Sequence, residues 1–404
     1  MQLELASYPV EDFDLGTAAS RLTFDDPRFE SVDVDVVRPG EPVRLTHVLD
    51  AVEPRVKADD PESTFPGALG RLVAAGRGRT NRIAGAAVVA CADFPAEERP
   101  LHEQEALIDM AGPGSEHSLV SRTVNIVLTF HPAEGVGNED FEAALREAKL
   151  WAARELAVDT IGREPASVET LQHELGGAAA PKGKPSVVLL LQLSSLGPLY
   201  EIYFYGTTLD GFQPAPLNPL EVLDGALTCG EYHWAGLRNP TYHFQNSALV
   251  RELLAADGDR LHLAGVVACR GYNQSARDKE RAAMLAAKVA AELGADGAIV
   301  TTDAGGNSHT DTMLTVRACE QAGIRTVAMV AEMGGLTDHV PEADAIVSTG
   351  NAEEYAPEWR PDRVLGGETL LDGRPAADCG PVPVRNYLGA ACQMGDLDLR
   401  AVTW

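Results

Sequence analysis

The feature that most constrains the fold is the regular alternation of apolar segments with long helical segments in the second half of the chain. Four segments have the length and composition of buried strands: residues 261–268, 298–301, 326–330 and 345–348. Residues 275–293 and 310–322 lie between them and have the composition of helices. Strands that alternate with helices indicate parallel βαβ units. We therefore predict a doubly wound parallel sheet, with ligands at the carboxyl ends of its strands.

The first half has a different pattern, with more strands and fewer helices. Its predicted strands cover residues 32–37, 43–45, 84–90, 124–130, 187–193 and 200–205. Residues 138–156 are predicted to form a helix, capped by Asn138 and carrying an apolar stripe through Phe141, Leu145, Leu150 and Leu156. The predicted fold class is therefore α/β, an N-terminal mixed, β-rich α+β region followed by a C-terminal doubly wound parallel βαβ domain.

A proline-rich segment separates the two halves. Residues 211–219 contain Pro214, Pro216 and Pro219, and this density of proline predicts a loop. The Thr228–Cys229 bond follows shortly afterwards. Chemistry on a backbone amide requires the amide to distort, so we expect this bond to lie in flexible or strained structure.

Composition limits the partners and the location of the protein. The 404 residues include 33 Lys and Arg against 60 Asp and Glu, for a net charge of −27. This charge argues against nucleic acid or an anionic membrane as the main partner. The sequence has no apolar run long enough to span a membrane and no N-terminal signal pattern, so we expect a soluble, cytoplasmic protein. Its six cysteines have no regular spacing, which favours reduced thiols.

Cys229 is the residue with the most distinctive chemical potential. A cysteine thiol can attack the preceding carbonyl, here that of Thr228, and convert the amide into a thioester. β-Elimination of the sulfur would then leave an enamine that hydrolyses to a pyruvoyl group, a ketone that forms Schiff bases with amines. A cysteine in such a dipeptide can equally be a small buried apolar residue. The dipeptide alone does not decide between these two interpretations.

Two further polar groups are candidates for a site. The segment 303–311 contains Asn307, His309 and Asp311, which could face a ligand, although a tight turn or an anion-binding helix N-terminus fits the same residues. His243 lies close after Cys229 and could move protons during self-cleavage, or it could simply be solvated. The histidines show no metal-binding spacing, so no metal is predicted. The segment also lacks the glycine spacing of a nucleotide-binding loop.

Taken together, blocks along the chain resemble the proproteins of component B of the glycine, sarcosine and betaine reductases, and more distantly the D-proline reductase proprotein. In order, the similar blocks are residues 31–44 with 52–57, 108–114, 241–246, 278–281, 294–300, 306–307 and 350–352. The resemblance extends over nearly the whole chain, and the order of the blocks makes it specific. It implies an oxidoreductase subunit of amino-acid metabolism.

The resemblance also implies how such a protein would mature and work. Its proproteins cleave before a cysteine, which here corresponds to Cys229, with Thr228 as the acyl donor. Cleavage would give fragments 1–228 and 229–404 that stay associated, and the second would carry a pyruvoyl cofactor derived from Cys229. The implied partners are an amine-bearing small-molecule substrate and a subunit with selenocysteine or cysteine, which together carry out reductive C–N cleavage. His243 is then a catalytic candidate, and Asn246, Asn307, His309 and Asp311 are candidates for substrate binding.

Two departures from the family pattern leave the substrate open. Gly305 stands where the relatives have a large aromatic residue, and the segment from Glu332 to Gly335 looks shortened. The substrate could be glycine, sarcosine, betaine or a related amine. Two other functions stay open as well: an uncleaved, non-catalytic relative that binds a small molecule or acts as a scaffold, and an NAD-linked enzyme. An intact Thr228–Cys229 bond would favour the former.

Overall fold

The chain is a mixed α/β protein. The computed structural model describes residues 1–94, 105–175, 183–197, 199–230, 235–302, 306–333, 343–370, 373–378, 380–397 and 399–402. The prediction of a mixed α/β class with a sheet rich in parallel strands is confirmed. The division of the chain into two domains stays a prediction.

The strands of the described residues are, in chain order, β1 Gln2–Pro9, β2 Phe29–Val37, β3 Val43–Leu45, β4 Val48–Val52, β5 Arg55–Lys57, β6 Gly78–Ala84, β7 Ala86–Ala92, β8 Ile108–Asp109, β9 Val124–Pro132, β10 Ser167–Gln172, β11 Ser186–Leu193, β12 Ile202–Phe204, β13 Ala215–Leu217, β14 Leu227–Cys229, β15 His262–Arg270, β16 Gly297–Thr301, β17 Arg325–Glu332, β18 Ala345–Asn351, β19 Tyr355–Ala356, β20 Arg363–Leu365, β21 Val382–Pro383 and β22 Arg400–Val402.

The α-helices of the described residues are α1 Leu15–Ala19, α2 Asn138–Val158, α3 Pro219–Leu223, α4 Thr241–Gln245, α5 Ala248–Ala256, α6 Ala276–Glu292 and α7 Asn307–Gln321. The predicted helices at 138–156, 275–293 and 310–322 are therefore confirmed within a few residues. The predicted cap at Asn138 is wrong, because Asn138 is already helical and the extended Gly137 occupies the cap position without a side chain to offer.

The principal sheet has the order β13-β15-β11-β16-β17-β18-β22. Its five inner strands are parallel, and β13 and β22 join the edges antiparallel. Side chains alternate along β11, so that Leu189 and Leu191 pack into one core whereas Val188 and Leu190 pack into another, which includes residues of α6 and α7. Burial on both faces explains why β11 is almost continuously apolar.

The principal sheet combines strands from before and after the Thr228–Cys229 bond. β11 precedes that bond, yet it lies between β15 and β16, which both follow it. β14 ends at Cys229 and pairs antiparallel with β12, which also belongs to the earlier part of the chain. The residues before and after the bond are therefore hydrogen-bonded to each other in the principal sheet, and the N–H of Gly230 also donates to the carbonyl of Glu201.

The first half contributes its own sheets. One has the order β2-β9-β7-β4 and another the order β10-β1-β6-β5. α2 packs against strands of both, with Phe141, Leu145 and Leu156 in the core of this region. The predicted strands at 32–37, 43–45, 84–90 and 124–130 are confirmed with small shifts of their ends.

Two expectations about the segment between the halves are wrong. Residues 211–219 are not wholly a loop, because β13 forms at Ala215–Leu217 and Pro216 is tolerated on the sheet edge. The Thr228–Cys229 bond does not lie in flexible or strained structure but at the end of a buried strand. Neither residue has a positive φ. The hydrogen bonds of the β12–β14 pair hold this backbone in regular extended form.

Among the described residues, no helix has both the length and the apolar composition needed to cross a membrane.

Candidate active site at Cys229

Cys229 is the last residue of β14, and its partner strand β12 is hydrogen-bonded to the residue that follows β11 of the principal sheet. Cys229 is opposite Ile202 in the β12–β14 pair. The Ile202 N–H donates to the carbonyl of Ser194 at 3.0 Å, and Ser194 directly follows the last residue of β11. Carboxyl ends of parallel strands are where ligands bind in sheets of this kind. The side chain of Cys229 is only 2% exposed, so the site is inside the protein.

The pairing with β12 leaves the N–H and C=O groups of Cys229 pointing away from β12. Thr228 is opposite Tyr203, and the N–H of Gly230 donates to the carbonyl of Glu201 at 2.9 Å. Hydrogen-bonded positions alternate along an antiparallel strand. The N–H and C=O of Cys229, between these two positions, therefore point away from β12. Both meet buried polar side chains there.

Three side chains form what we call the Asp50 network: Asp50, Lys149 and Thr241. The N–H of Cys229 donates to Oγ1 of Thr241 at 2.8 Å, and this hydroxyl donates to Oδ2 of Asp50 at 2.7 Å. Nζ of Lys149 donates to the carbonyl oxygen of Cys229 and lies 2.7 Å from the same Oδ2 of Asp50. The network thus holds both polar backbone atoms of Cys229.

The network is fully buried and carries charge. The side chains of Asp50 and Lys149 are both 0% exposed. Burial raises the pKa of Asp50, while the Lys149 ammonium and the hydrogen bonds from Thr241 act in the opposite direction. A buried ion pair adds little stability compared with apolar residues of the same volume, although removing one partner costs about 3–5 kcal/mol. Perturbed, buried charges of this kind cluster at functional sites.

A second carboxylate approaches the next residue. A Cβ on Gly230 would lie 2.8 Å from Oε1 of Glu142, so a larger residue at this position would displace the Glu142 carboxylate. Glu142 is buried, and its Oε1 lies 3.4 Å from Nε of Arg146. The guanidinium carbon of Arg146 lies 4.1 Å from the centre of the Tyr203 ring. Burial and then the Glu142 carboxylate raise the pKa of Tyr203. Glu142 and Lys149 are two turns apart on α2 and both face the residues at the end of β14.

Asp50 and Lys149 were not predicted as site residues, although the sequence carries a signal for each. Lys149 occupies a position on the apolar stripe of α2, four residues after Leu145 and seven before Leu156. Asp50 is the charged residue in the fully buried strand β4. A charge at a position that should be apolar indicates a buried polar site. The sequence does not show that these two charges pair with each other, because Asp50 and Lys149 lie far apart in the chain.

The predicted residue His243 lies on the same short helix as Thr241 but has different neighbours. It is fully buried, with Nδ1 3.2 Å from Oδ2 of Asp396. Sγ of Cys392 donates to that oxygen at 3.3 Å, and burial raises the pKa of this thiol. The ligand atoms of these three residues lie within 4.8 Å of one another, so they could hold a metal ion. The catalytic role of His243 stays a prediction.

The remaining predicted residues lie in two places. Oδ1 of Asn246 accepts from Arg82 at 3.0 Å. Asn307, His309 and Asp311 lie together at the start of α7, after β16, where Lys279 donates both to the carbonyl of Asn307 and to Asp311. His309 accepts from the N–H of Gly306, and burial raises the pKa of Asp311. This group is at the same edge of the sheet as Cys229. The departure at Gly305 and most of that after Glu332 lie outside the described residues.

Thr228 is buried as well, and its Oγ1 meets no hydrogen-bond partner among the described residues. The five described cysteines, at positions 91, 229, 269, 319 and 392, are all reduced and buried, whereas Cys379 lies outside the described residues. Reduced thiols were predicted. What distinguishes Cys229 from the other four described cysteines is the Asp50 network around its backbone.

Comparison with known proteins gives a consistent result. Residues 16–377 match the sequence profile of a family described as glycine/sarcosine/betaine reductase component B subunits. The chain is 35% identical to the glycine reductase complex component B subunits alpha and beta of Peptoclostridium acidaminophilum, over 85% of this chain and 81% of the relative. It is 31% identical to the protein of the same name from Acetoanaerobium sticklandii, over 100% of both chains. It is 32% identical to the sarcosine reductase complex component B subunit alpha of P. acidaminophilum, over 87% of this chain and 84% of the relative.

Proposed function

The chain belongs to the family of glycine/sarcosine/betaine reductase component B subunits, and on that premise we propose that it is a proprotein that cleaves itself between Thr228 and Cys229. The observation that carries the proposal is the Asp50 network, which places a hydroxyl on the N–H of Cys229 and a buried ammonium on its carbonyl. Residue 229 would become the pyruvoyl group of the second fragment.

The chemistry balances without an oxidant or reductant. The Cys229 thiol gives up its proton, its sulfur bonds to the carbonyl carbon of Thr228, and the C–N bond breaks as the amine takes up a proton. Loss of the Cα proton of residue 229 then breaks the Cβ–S bond, and the sulfur leaves with the electron pair as a thiocarboxylate on Thr228. Water converts the remaining enamine to a ketone and ammonia, and a second water converts the thiocarboxylate to a carboxylate and hydrogen sulfide.

The residues around Cys229 fit a pyruvoyl group. Thr241 and Lys149 hold the two backbone positions that flank its α-carbon, and Gly230 leaves room for the carboxylate of Glu142. When formed, such a group supplies an electrophilic ketone that takes up an amine and withdraws electrons from it. The buried carboxylate of Glu142 offers a counter-charge for a substrate amine.

The names of the relatives suggest the wider reaction. The relatives are components of glycine, sarcosine and betaine reductase complexes. We extend this to a small amine-bearing substrate whose C–N bond breaks as a bond to selenium or sulfur forms on a partner subunit. The partner subunit would supply that selenocysteine or cysteine. Asn307, His309 and Asp311, at the same edge of the sheet as Cys229, are the proposed contacts for the rest of the substrate.

The test is the Cys229→Ala variant, with Cys91→Ala as a matched control because both thiols are buried and reduced. Fragment masses after expression and denaturation are the readout. We expect wild type and Cys91→Ala to be split before residue 229 and Cys229→Ala to remain whole. Cleavage of Cys229→Ala at that bond would contradict the proposal.

One observation favours a second function. The Thr228–Cys229 bond lies in a regular, buried antiparallel pair, without positive φ at either residue. An uncleaved, non-catalytic relative that binds a small molecule or acts as a scaffold would have such a backbone. Wild-type protein that stays whole even in the presence of its partner subunit would favour this function.

A further inference from the structure

We propose that Lys149 is the residue that drives the elimination step of self-cleavage, by stabilising negative charge on the carbonyl oxygen of Cys229. This inference rests on the proposed self-cleavage and assigns one of its two stages to a residue of α2. It goes beyond the resemblance, which assigns no role to Lys149.

The position of the ammonium group is specific. Lys149 is 0% exposed, and Nζ donates to the carbonyl oxygen of Cys229 while lying 2.7 Å from Oδ2 of Asp50. Asp50 in turn accepts from the N–H and the hydroxyl of Thr241, which fixes the carboxylate. The ammonium therefore has a fixed charge partner on one side and a backbone carbonyl on the other.

Elimination places negative charge on that carbonyl. When the Cα proton of residue 229 leaves, the electron pair is shared between Cα and the adjacent carbonyl oxygen of Cys229, which is the enolate form. The pair then expels the sulfur from Cβ. The carboxylate of Glu142, whose Oε1 lies beside Gly230 and 3.4 Å from Nε of Arg146, is the group that would take the proton. A fixed ammonium in a dry site stabilises such an oxyanion far more than water would.

The same geometry separates the two stages of the reaction. The acyl shift builds negative charge on the carbonyl oxygen of Thr228, not on that of Cys229. Thr228 is opposite Tyr203, and by the alternation of the pair its carbonyl faces β12, away from Lys149. Loss of the ammonium should therefore slow the elimination and leave the acyl shift largely intact. The thioester should accumulate.

The experiment uses the full chain with Lys149→Met and Lys149→Arg. Lys57→Met is the matched control, because Lys57 also pairs with a buried carboxylate, that of Asp224, and is not part of the Asp50 network. Each protein is purified, incubated at neutral pH with or without hydroxylamine, denatured and weighed. Hydroxylamine cleaves a thioester and releases a second fragment that still begins with an intact cysteine. Phenylhydrazine labels only a fragment that has become pyruvoyl.

For Lys149→Met we expect pyruvoyl formation to be slowed roughly 100-fold or more, as for loss of one oxyanion donor. We expect hydroxylamine to split the protein into fragments, the second beginning with Cys229. Lys149→Arg should recover part of the pyruvoyl yield, and Lys57→Met should match wild type. A trapped thioester also shows that the variant has folded around the site, since a disordered chain would not position the thiol.

Two results would overturn the inference. One is Lys149→Met that forms the pyruvoyl fragment at the wild-type rate. The other is Lys149→Met that stays whole and resists hydroxylamine, since Lys149 would then be needed before the elimination. Wild type that is neither split nor labelled contradicts the proposed function itself, so the two failures are distinguishable.

Discussion

At the scale of single residues, Thr241 connects the backbone of Cys229 to a buried carboxylate. Its hydroxyl accepts from the N–H of Cys229 and donates to Asp50, so one side chain satisfies two buried groups. Leaving a buried donor or acceptor without a partner costs about 1–3 kcal/mol. The nitrogen that Thr241 holds is the one that must leave during the acyl shift. We therefore predict that Thr241 positions this nitrogen for the proposed acyl shift.

We predict that Thr241→Val, which keeps the shape but removes the hydroxyl, lowers the rate of cleavage at Thr228–Cys229, whereas Thr241→Ser keeps most of it. The measurement is the fraction of split chain at fixed times after synthesis, by mass spectrometry. Hydroxylamine-sensitive material should not accumulate in Thr241→Val, because the block comes before the thioester. Equal cleavage in the valine and serine variants would show that the hydroxyl has no part in processing.

At the scale of elements, β11 decides how the cleaved chain would behave. It precedes the cut, yet its hydrogen bonds go to β15 and β16, which follow the cut. β12 and β14 pair up to the cut itself. Since Leu189, Leu191 and Val266 also share one core, separation of the fragments would expose the centre of the principal sheet.

We therefore predict that fragments 1–228 and 229–404 elute together in size-exclusion chromatography under native conditions and separate only in concentrated denaturant. The readout is the mass content of each peak. Fragments that elute separately in native buffer would contradict a sheet in which β11 lies between β15 and β16.

Sequence patterns predict the positions of strands and helices but not the order of strands in a sheet. The units from β15 to β18 could be predicted because strand and helix periodicities are local. The place of β11 between β15 and β16 could not, since strand order depends on contacts between distant segments. Likewise, Cys229 was a candidate from its sequence context, whereas Lys149 and Asp50 were not predicted. Their contacts with Cys229 join three segments that are distant in sequence and meet only in the folded chain.

At the scale of the whole molecule, buried carboxylates should govern the pH dependence of stability. Burial is the main cause that raises the pKa of Asp50, and the same holds for Glu201 and Asp311. A carboxyl group whose pKa is higher in the folded than in the unfolded state binds its proton more tightly in the folded state. Its contribution to stability is therefore lost as pH rises from the ordinary aspartate range through the raised folded pKa.

We predict that Cys229→Ala loses unfolding free energy relative to the double variant Cys229→Ala/Asp50→Asn as pH rises through that window, with a slope of at most about 1.4 kcal/mol per pH unit. The single variant serves as the uncleaved reference, so both proteins unfold as one chain. Chemical denaturation at a series of pH values gives the two free energies. The free energy of unfolding of Cys229→Ala minus that of the double variant should fall as pH rises. If this difference is independent of pH or increases with pH, burial does not raise the pKa of Asp50.

The central claim is that residue 229 becomes a pyruvoyl group, and an intact mass spectrum of the purified, denatured protein tests it most directly. The sample is measured with and without phenylhydrazine. We predict two fragments divided before residue 229, of which only the second gains the mass of a hydrazone. A single species near 42.9 kDa that does not react with the reagent, in the presence of the partner subunit as well, would contradict it.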